Sequence, residues 1–261
     1  ALPILKNLGA TATAMTLIRT EILQPFRMKP LCGFEEVKMV FSIDKWMDQY
    51  INVMQNEFHD RIWFLGLQGS YGRGEAGDQS DIDVVIILDT VSASDLETYA
   101  MLLDHLPERE KICGFISGKQ EILAWEPSDL FQFCYDTTPI LGTLQDLINN
   151  IHKEDVQRAI RIGACNVYHM CVHNLVHERS ADILKGLYKS AVFTLQAIAF
   201  LQTGSYKKKK TDLLPLLQEK DQNILRTSIE LKEKNSLSFE EILQFSDLLL
   251  NWSSKWIREV R

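Results

Sequence analysis

The segment GSYGRGEAGDQSDID, residues 69–83, lies between two apolar runs, RIWFLGL at 61–67 and VVIIL at 84–88. Short runs rich in β-branched and aromatic residues, bounded by glycines and charges, are typical of buried strands. The segment is therefore predicted to connect two strands of one sheet. A polar surface loop is the simplest interpretation of its composition, and a phosphate and metal site is the alternative.

Two carboxylates close the segment. Asp81 and Asp83 are two residues apart at the start of an extended run, and side chains at positions i and i+2 of a strand point to the same face. Because the strand carries no basic residue to pair with them, a cation would best offset their repulsion. Oxygen-only ligands favour Mg²⁺ or Mn²⁺, so the pair predicts a divalent metal site.

The beginning of the segment has the composition of a phosphate site. Gly69 and Ser70 end the preceding strand, and the glycines that follow free the backbone for a tight turn whose N–H groups can point at phosphate oxygens. Arg73 could pair with a phosphate, and Ser80 could orient the loop that delivers the aspartates. A glycine-rich turn or an Asp-x-Asp alone is weak evidence, but their joint spacing favours a metal-bridged triphosphate site over a structural loop.

Bulk composition restricts the partners. The chain has 261 residues and a formal net charge of −7, which argues against nucleic acid held through an overall basic field. Its five cysteines form no CxxC pair, which argues against a disulfide framework and favours a reduced, cytoplasmic compartment. No apolar run reaches the ~20 residues of a membrane-spanning helix, and residues 1–30 lack the apolar block of a signal peptide.

Hydrophobic periodicity predicts an α/β (α+β) chain in two parts. A mixed sheet with flanking helices occupies residues 34–142, and an antiparallel helical bundle occupies 143–261, after an extension at 1–33 of uncertain status. The predicted strands are 61–67, 83–89 and 111–117, with helices at 34–58 and 93–106. The bundle helices are predicted at 143–150, 155–178, 181–202, 219–234 and 239–260, the last with a capping box formed by Ser238 and Glu241.

Residues 69–83 resemble the signature of the nucleotidyltransferase fold of the DNA polymerase β superfamily: Gly-Ser, about ten residues, then Asp-x-Asp on a strand. The resemblance implies that Gly69 and Ser70 hold the β and γ phosphates of a nucleoside triphosphate and that Asp81 and Asp83 bind two divalent metals. The helices that follow WEPSDLFQFCYDTTPILG (125–142) look like those of the kanamycin nucleotidyltransferase branch and its bacterial small-molecule relatives, over about residues 35–205.

One part of the family pattern is missing. The family usually supplies a third carboxylate from a later strand, but KICGFIS (111–117) has none, and Cys113 or Gly114 stands near the expected position. Glu110 and Glu121 flank this strand, and we take Glu110 as a candidate metal ligand, the alternative being a solvated charge at the strand end. A catalytically degenerate protein therefore stays among the alternatives.

The acceptor side is less defined by the sequence. Cys165, His169, His173 and His177 recur every four residues along one face of a predicted helix. A neutral histidine can serve as a base and a pair can chelate zinc, so His169 is a candidate general base. The alternative is a packed helix interface.

Two groups of lysines complete the candidate residues. Lys189, on the next predicted helix, is a candidate phosphate ligand, although most helical lysines are simply solvated. The run KKKK at 207–210 is predicted to be a solvated loop, with attraction of a polyanionic substrate as the alternative.

Together these features predict an enzyme that uses ATP or another nucleoside triphosphate with Mg²⁺ or Mn²⁺, transfers a nucleoside monophosphate, AMP by preference, to a hydroxyl of a small molecule, and releases pyrophosphate. Nucleotidylation of a protein is one alternative, with a nucleic acid end less favoured, and a regulatory module that binds nucleotide without turnover is another. The apolar surface of the helices leaves a homodimer open.

Overall fold

The computed structural model describes residues 41–260. The predicted extension at 1–33 and the beginning of the helix predicted at 34–58 lie outside the described residues. Of the described residues in that range, 41 and 42 are not helical, and α1 begins at Ile43 and ends at Phe58.

The sheet has four strands, β1 (Ile62–Leu67), β2 (Ile82–Leu88), β3 (Ile112–Gly118) and β4 (Thr138–Leu141), in the order β3-β2-β1-β4. β1 is antiparallel to both β2 and β4, whereas β2 and β3 run parallel. The three predicted strands and the mixed sheet are confirmed, with ends shifted by about one residue. β4 was not predicted, because four largely exposed residues containing a proline lack the pattern of a strand.

Helices surround and follow the sheet. In chain order the described ones after α1 are α2 (Gly69–Arg73), α3 (Ala93–Asp104), α4 (Lys119–Leu123), α5 (Pro127–Asp136), α6 (Gln145–Asn149), α7 (Lys153–His173), α8 (Ala181–Thr203), α9 (Lys210–Leu213), α10 (Glu219–Glu233) and α11 (Phe239–Glu259). A π-helical turn at Asn174–Glu178 extends α7, and short 3-10 segments occur at His59–Arg61, Arg109–Lys111 and Leu214–Leu216.

Strand alternation divides the sheet side chains between two layers. Val84 and Ile86 pack with residues of α1 and α3 on one face. Val85 and Ile87 pack on the other face with residues of α4, α5 and α6. Asp83 has the same parity as Val85, so its side chain belongs to the face that α5 covers.

The later helices share one apolar core, to which α7, α8, α10 and α11 contribute. Arg161 in the first half of α7 donates to the carbonyl of Val260 just after the end of α11, whereas Cys171 near the end of α7 lies against Ser246, so these two helices are antiparallel. The predicted capping box at the start of α11 is present. The predicted helical region after the sheet is confirmed.

Helix α5 takes part in both regions. Its Leu130 and Phe133 pack under the sheet, and its Phe131 packs in the core of the later helices. Residues Ile43–Arg261 form one compact unit, and the division into two domains near Gly142 stays a prediction. Within residues 41–260, no helix combines the length and apolarity needed to cross a membrane.

Candidate functional site

The paired carboxylates lie at the start of β2. Asp81 directly precedes the strand, Asp83 is its second residue, and both are half-buried. Ile82 between them is fully buried against α1 and α3. Because side chains alternate along an extended chain, Asp81 and Asp83 are on the opposite face from Ile82.

The charges around Asp83 show what this face contains. Burial raises the pKa of the Asp83 carboxyl, and the negative charge of Asp81 raises it further. Lys189 and Arg73 lower the Asp83 pKa, and Asp136 raises it by a smaller amount. Because the Coulomb energy of two charges falls as their distance grows, these charged side chains lie near the partly dehydrated Asp83 carboxyl. The nearby cations do not fully compensate its negative charge.

The backbone of Gln68 and Gly69 contacts Asp83. The N–H of Gln68 donates to the Asp83 carbonyl oxygen at 2.8 Å. Gly69 has φ +65°, and a Cβ atom there would overlap the Asp83 carboxylate oxygen Oδ2. Only glycine permits this contact, both for its backbone conformation and for its lack of a side chain. The tight turn predicted here is instead a one-turn helix, α2, and Gly74, with φ +69°, caps its C-terminal end.

Arg73, at the end of α2, is held by two acidic side chains. Its Nη1 donates to Asp136 Oδ2 at 2.8 Å, and its Nε lies 3.4 Å from Glu75 Oε2. Asp136 is the last residue of α5 and is only 6% exposed. No pattern in the sequence predicts this partner, since an acidic residue at the end of an amphipathic helix is common.

Comparison with known proteins identifies this region. Residues 55–161, which include β1, α2 and β2, match the family of the nucleotidyltransferase domain. The chain carries a nucleotidyltransferase domain. The predicted resemblance is thereby confirmed, and the protein is an enzyme of the nucleotidyltransferase type. No curated protein matches the chain in sequence.

One solved structure extends the likeness in fold to most of the chain. This is the spectinomycin adenyltransferase AAD(9) from Enterococcus faecialis, determined with ATP and spectinomycin. It matches with a TM-score of 0.56 at 13% identity, over 83% of this chain and 99% of that chain. A nucleotidyltransferase-like protein from Exiguobacterium sibiricum matches with a TM-score of 0.33 at 11% identity, over 81% of this chain and 74% of that chain.

Lysines from the later part of the chain lie beside the nucleotidyltransferase domain. Lys189 on α8 lies close enough to lower the pKa of Asp83. The prediction that residues 207–210, the lysine segment, form a solvated loop is wrong for two of its members. Lys208 Nζ donates to the Thr137 carbonyl oxygen at 2.9 Å, and the backbone N–H of Lys210 donates to Glu75 Oε1 at 3.0 Å.

Lys208 and Lys210 are also electrostatically strained. Burial lowers the pKa of the Lys208 and Lys210 ammonium groups, while Asp136 raises the first and Glu75 the second. Lys209 is exposed, and its side chain extends towards Gly74 at the end of α2. The lysine segment thus adds positive charge next to the glycine-rich residues.

The two serines of the predicted site have backbone roles in the segment. The N–H of Gly77 donates to Ser80 Oγ at 3.0 Å, and the Ser80 N–H donates back to the Gly77 carbonyl. This closes the turn that leads to Asp81. The carbonyl oxygen of Ser70 accepts the N–H of Glu75. Contacts of either serine with phosphate stay a prediction.

The position next to Asp83 on the neighbouring strand is occupied by a thiol. Asp83 pairs with Cys113 in the parallel ladder, and Val84 pairs with Gly114. Glu110 lies in the 3-10 turn before β3, and its role as metal ligand stays a prediction. Glu121 lies beside Gly118, at the opposite end of β3 from Cys113. Within residues 41–260, no three or more His, Cys, Asp and Glu side chains are grouped so as to hold a metal ion.

The histidines lie at the surface of α7 and of the π-helical turn that extends it. Cys165, His169 and His177 are exposed, and the rings of His173 and His177 are in contact, with centroids 4.7 Å apart. None of them is among the groups that shift the pKa of Asp83. The proposed base function of His169 stays a prediction.

Proposed function

We propose that the protein transfers AMP from ATP to a hydroxyl group of a small molecule, with release of pyrophosphate. The observation that carries the proposal is the close contact of the Asp83 carboxylate with Gly69. The acidic Asp81 and the basic Arg73 and Lys189 are near the same carboxylate. A carboxylate pair that is partly dehydrated and incompletely neutralised suits a divalent cation, whose charge removes the repulsion.

The residues fit a divalent ion, Mg²⁺ or Mn²⁺, and Asp81 and Asp83 would hold it. Bound there, it would neutralise phosphate charge and acidify the acceptor hydroxyl. Glu110 is proposed as a further ligand, because its turn precedes the strand that pairs with β2. The raised pKa of Asp83 supports a cation held by Asp81 and Asp83, since a bound cation would offset the burial and the repulsion from Asp81 that raise it.

The triphosphate would lie along α2. The backbone of Gly69 and Ser70 and the side chains of Arg73 and Lys189 are the proposed phosphate contacts, and Ser80 shapes the turn between them and Asp81. Lys209, exposed beside Gly74, would add attraction for the anionic tail. These groups give an otherwise acidic chain a local positive field for a triphosphate.

The acceptor would lie between the sheet and the later helices, in the two-domain arrangement of residues 34–142 and 143–261 that the sequence predicts. His169 is the proposed base for the acceptor hydroxyl. The likeness in fold to an adenyltransferase whose structure contains ATP and spectinomycin supports ATP as donor and a small hydroxylated acceptor. That support is analogy, because one fold can serve several acceptors.

The test is calorimetric titration of ATP with Mg²⁺ into the wild-type protein and the Asp81→Ala, Asp83→Ala double variant, together with pyrophosphate release in the presence of hydroxylated small molecules. Asp89→Ala, an exposed aspartate just beyond the other end of β2, is the matched control. We expect metal-dependent binding in the wild type and the control, no binding in the double variant, and release with at least one acceptor. Absence of wild-type binding would refute the proposal.

A second candidate function is a nucleotide-binding regulatory module. The observation that favours it is Cys113 next to Asp83, where the family usually has a carboxylate. In that case ATP binds with the metal but pyrophosphate is not released with any acceptor, including proteins. The same experiment therefore separates the two functions.

A further inference from the structure

Asp136 is a buried acid whose position calls for an explanation. Its Oδ2 accepts from Arg73 Nη1, and its Oδ1 is buried without a hydrogen-bond partner among the described residues. A buried carboxylate is costly unless it is paired. Burial raises the pKa of Asp136, and Arg73 and Lys208 oppose that rise. At an exposed position the Asp136 carboxylate would not lose its hydration, but it would also not pair with Arg73 in this buried place.

Two acidic side chains hold the Arg73 guanidinium group, and one of its terminal nitrogens keeps its donors. Asp136 accepts from Nη1, and Glu75 lies near Nε, while Glu75 itself is fixed by the backbone N–H of Lys210. The Arg73 side chain is only 13% exposed. Among the described residues, its other terminal nitrogen, Nη2, has no hydrogen-bond partner. A guanidinium group held in this way keeps donors for another ligand in a fixed direction.

The pair of Arg73 and Asp136 lies at the start of β2, where the metal site is proposed. Both Arg73 and Asp136 act on the pKa of Asp83. Asp136 is fixed by α5, which is packed into the cores on both sides, so the carboxylate is attached to a rigid element while Arg73 lies on a one-turn helix. Short segments need such support to hold a charged side chain within the tolerance of a binding site.

We propose that Asp136 is a positioning residue for triphosphate binding, which fixes the guanidinium of Arg73 so that its remaining N–H groups face the phosphates. The proposal rests on the proposed function. Asp136 does not contact the nucleotide in this scheme and acts through Arg73 alone. A purely structural role would instead link α5 to α2 without any influence on nucleotide affinity.

The experiment is a double-mutant cycle on the Mg–ATP dissociation constant, measured by calorimetry in the full chain without acceptor. Loss of a hydrogen bond to a charged group is worth about tenfold or more, so we expect Asp136→Asn and Arg73→Ala each to weaken binding by about that factor. In the Arg73→Ala background, Asp136→Asn is expected to have no further effect. Independent, multiplying effects would overturn the proposal.

The matched control is a second Arg–Asp pair at the other end of the sheet. Arg61 Nη1 donates to Asp95 Oδ1 at 2.6 Å. Asp95→Asn removes the charge of that pair as Asp136→Asn does, and it should leave the Mg–ATP affinity unchanged. An equal loss of affinity in the control would show a general effect of stability and contradict positioning.

The outcomes separate the inference from the function beneath it. If the wild type does not bind Mg–ATP, the proposed function fails and the inference fails with it. If the wild type and Asp136→Asn bind equally, only the inference fails. Should Asp136→Asn not fold, as judged by its thermal transition, Asp136→Glu replaces it, because it keeps the charge but shifts it by one methylene. Wild-type affinity in that variant would also overturn the proposal.

Discussion

The two ends of β2 both carry acidic residues, but the surrounding protein lowers the carboxyl pKa at one end and raises it at the other. At the end of the strand, Arg61 pairs with Asp89 and Asp95, and Asp95 also forms the capping box of α3 with Ser92. Hydrogen bonds from the Thr90 backbone N–H and from Arg61 lower the pKa of Asp89, and hydrogen bonds from Arg61 and Ser92 lower the pKa of Asp95. At the start of the strand, burial and Asp81 raise the pKa of Asp83. The first arrangement stabilises the fold, whereas the second stores repulsion that a bound cation can relieve.

The largest effect is expected from Gly69→Ala. The new Cβ would overlap the Asp83 carboxylate, and the backbone at φ +65° disfavours any side chain. We expect metal-dependent ATP binding to be lost in calorimetry.

Gly77→Ala is the matched control within the same segment. No atom lies within 4 Å of a Cβ built there. The affinity of the Gly77→Ala variant for ATP with Mg²⁺ should equal that of the wild type. If Gly69→Ala also kept its affinity, the contact between Gly69 and Asp83 would have no role in the site.

The second prediction concerns stability without ligand. The pKa of Asp83 is raised in the folded state, so its ionisation costs stability as pH rises past the ordinary aspartate pKa, and the full cost remains above the raised value. We therefore expect Asp83→Asn to increase the thermal transition temperature at pH 7 by a few degrees, and this gain to vanish in acid. Such a gain on removal of a functional charge is a common trade-off.

Asp95→Asn should do the opposite. Because the folded pKa of Asp95 is lowered, its contribution is present above the ordinary aspartate pKa and is lost as pH falls through the lowered value. At pH 7 this variant should melt below the wild type in differential scanning calorimetry. If both variants changed in the same direction, the contrast between the two ends of β2 would be wrong.

The two ends also differ in how far the sequence predicts them. The start of β2 could be proposed as a metal site because Gly69, Asp81 and Asp83 are close in sequence and flanked by strands whose composition is distinctive. Asp136 was not found, because it meets Arg73 across 63 positions of sequence through the packing of α5. The contact between Lys210 and Glu75 spans 135 positions. A run of lysines alone is typical of a solvated loop, and only the tertiary fold decides its burial.

The smallest effect is expected from Cys113→Asp. Residues paired across a parallel ladder point to the same face, so the new carboxylate would join Asp83. A third negative charge should tighten the binding of Mn²⁺ by about tenfold, through its attraction for a divalent ion at contact distance. It should also lower the thermal transition temperature at neutral pH in the absence of metal, because it adds to the repulsion already present at this end of β2.

Cys165→Asp, at an exposed position of α7, provides the comparison, since it adds the same charge away from the sheet. It should change neither the Mn²⁺ affinity nor the transition temperature appreciably. A drop in transition temperature for Cys113→Asp without tighter Mn²⁺ binding would mean that the side chain at 113 does not reach the metal-binding face. The missing carboxylate would then have to come from another element, and Glu110, in the turn before β3, would be the next residue to substitute.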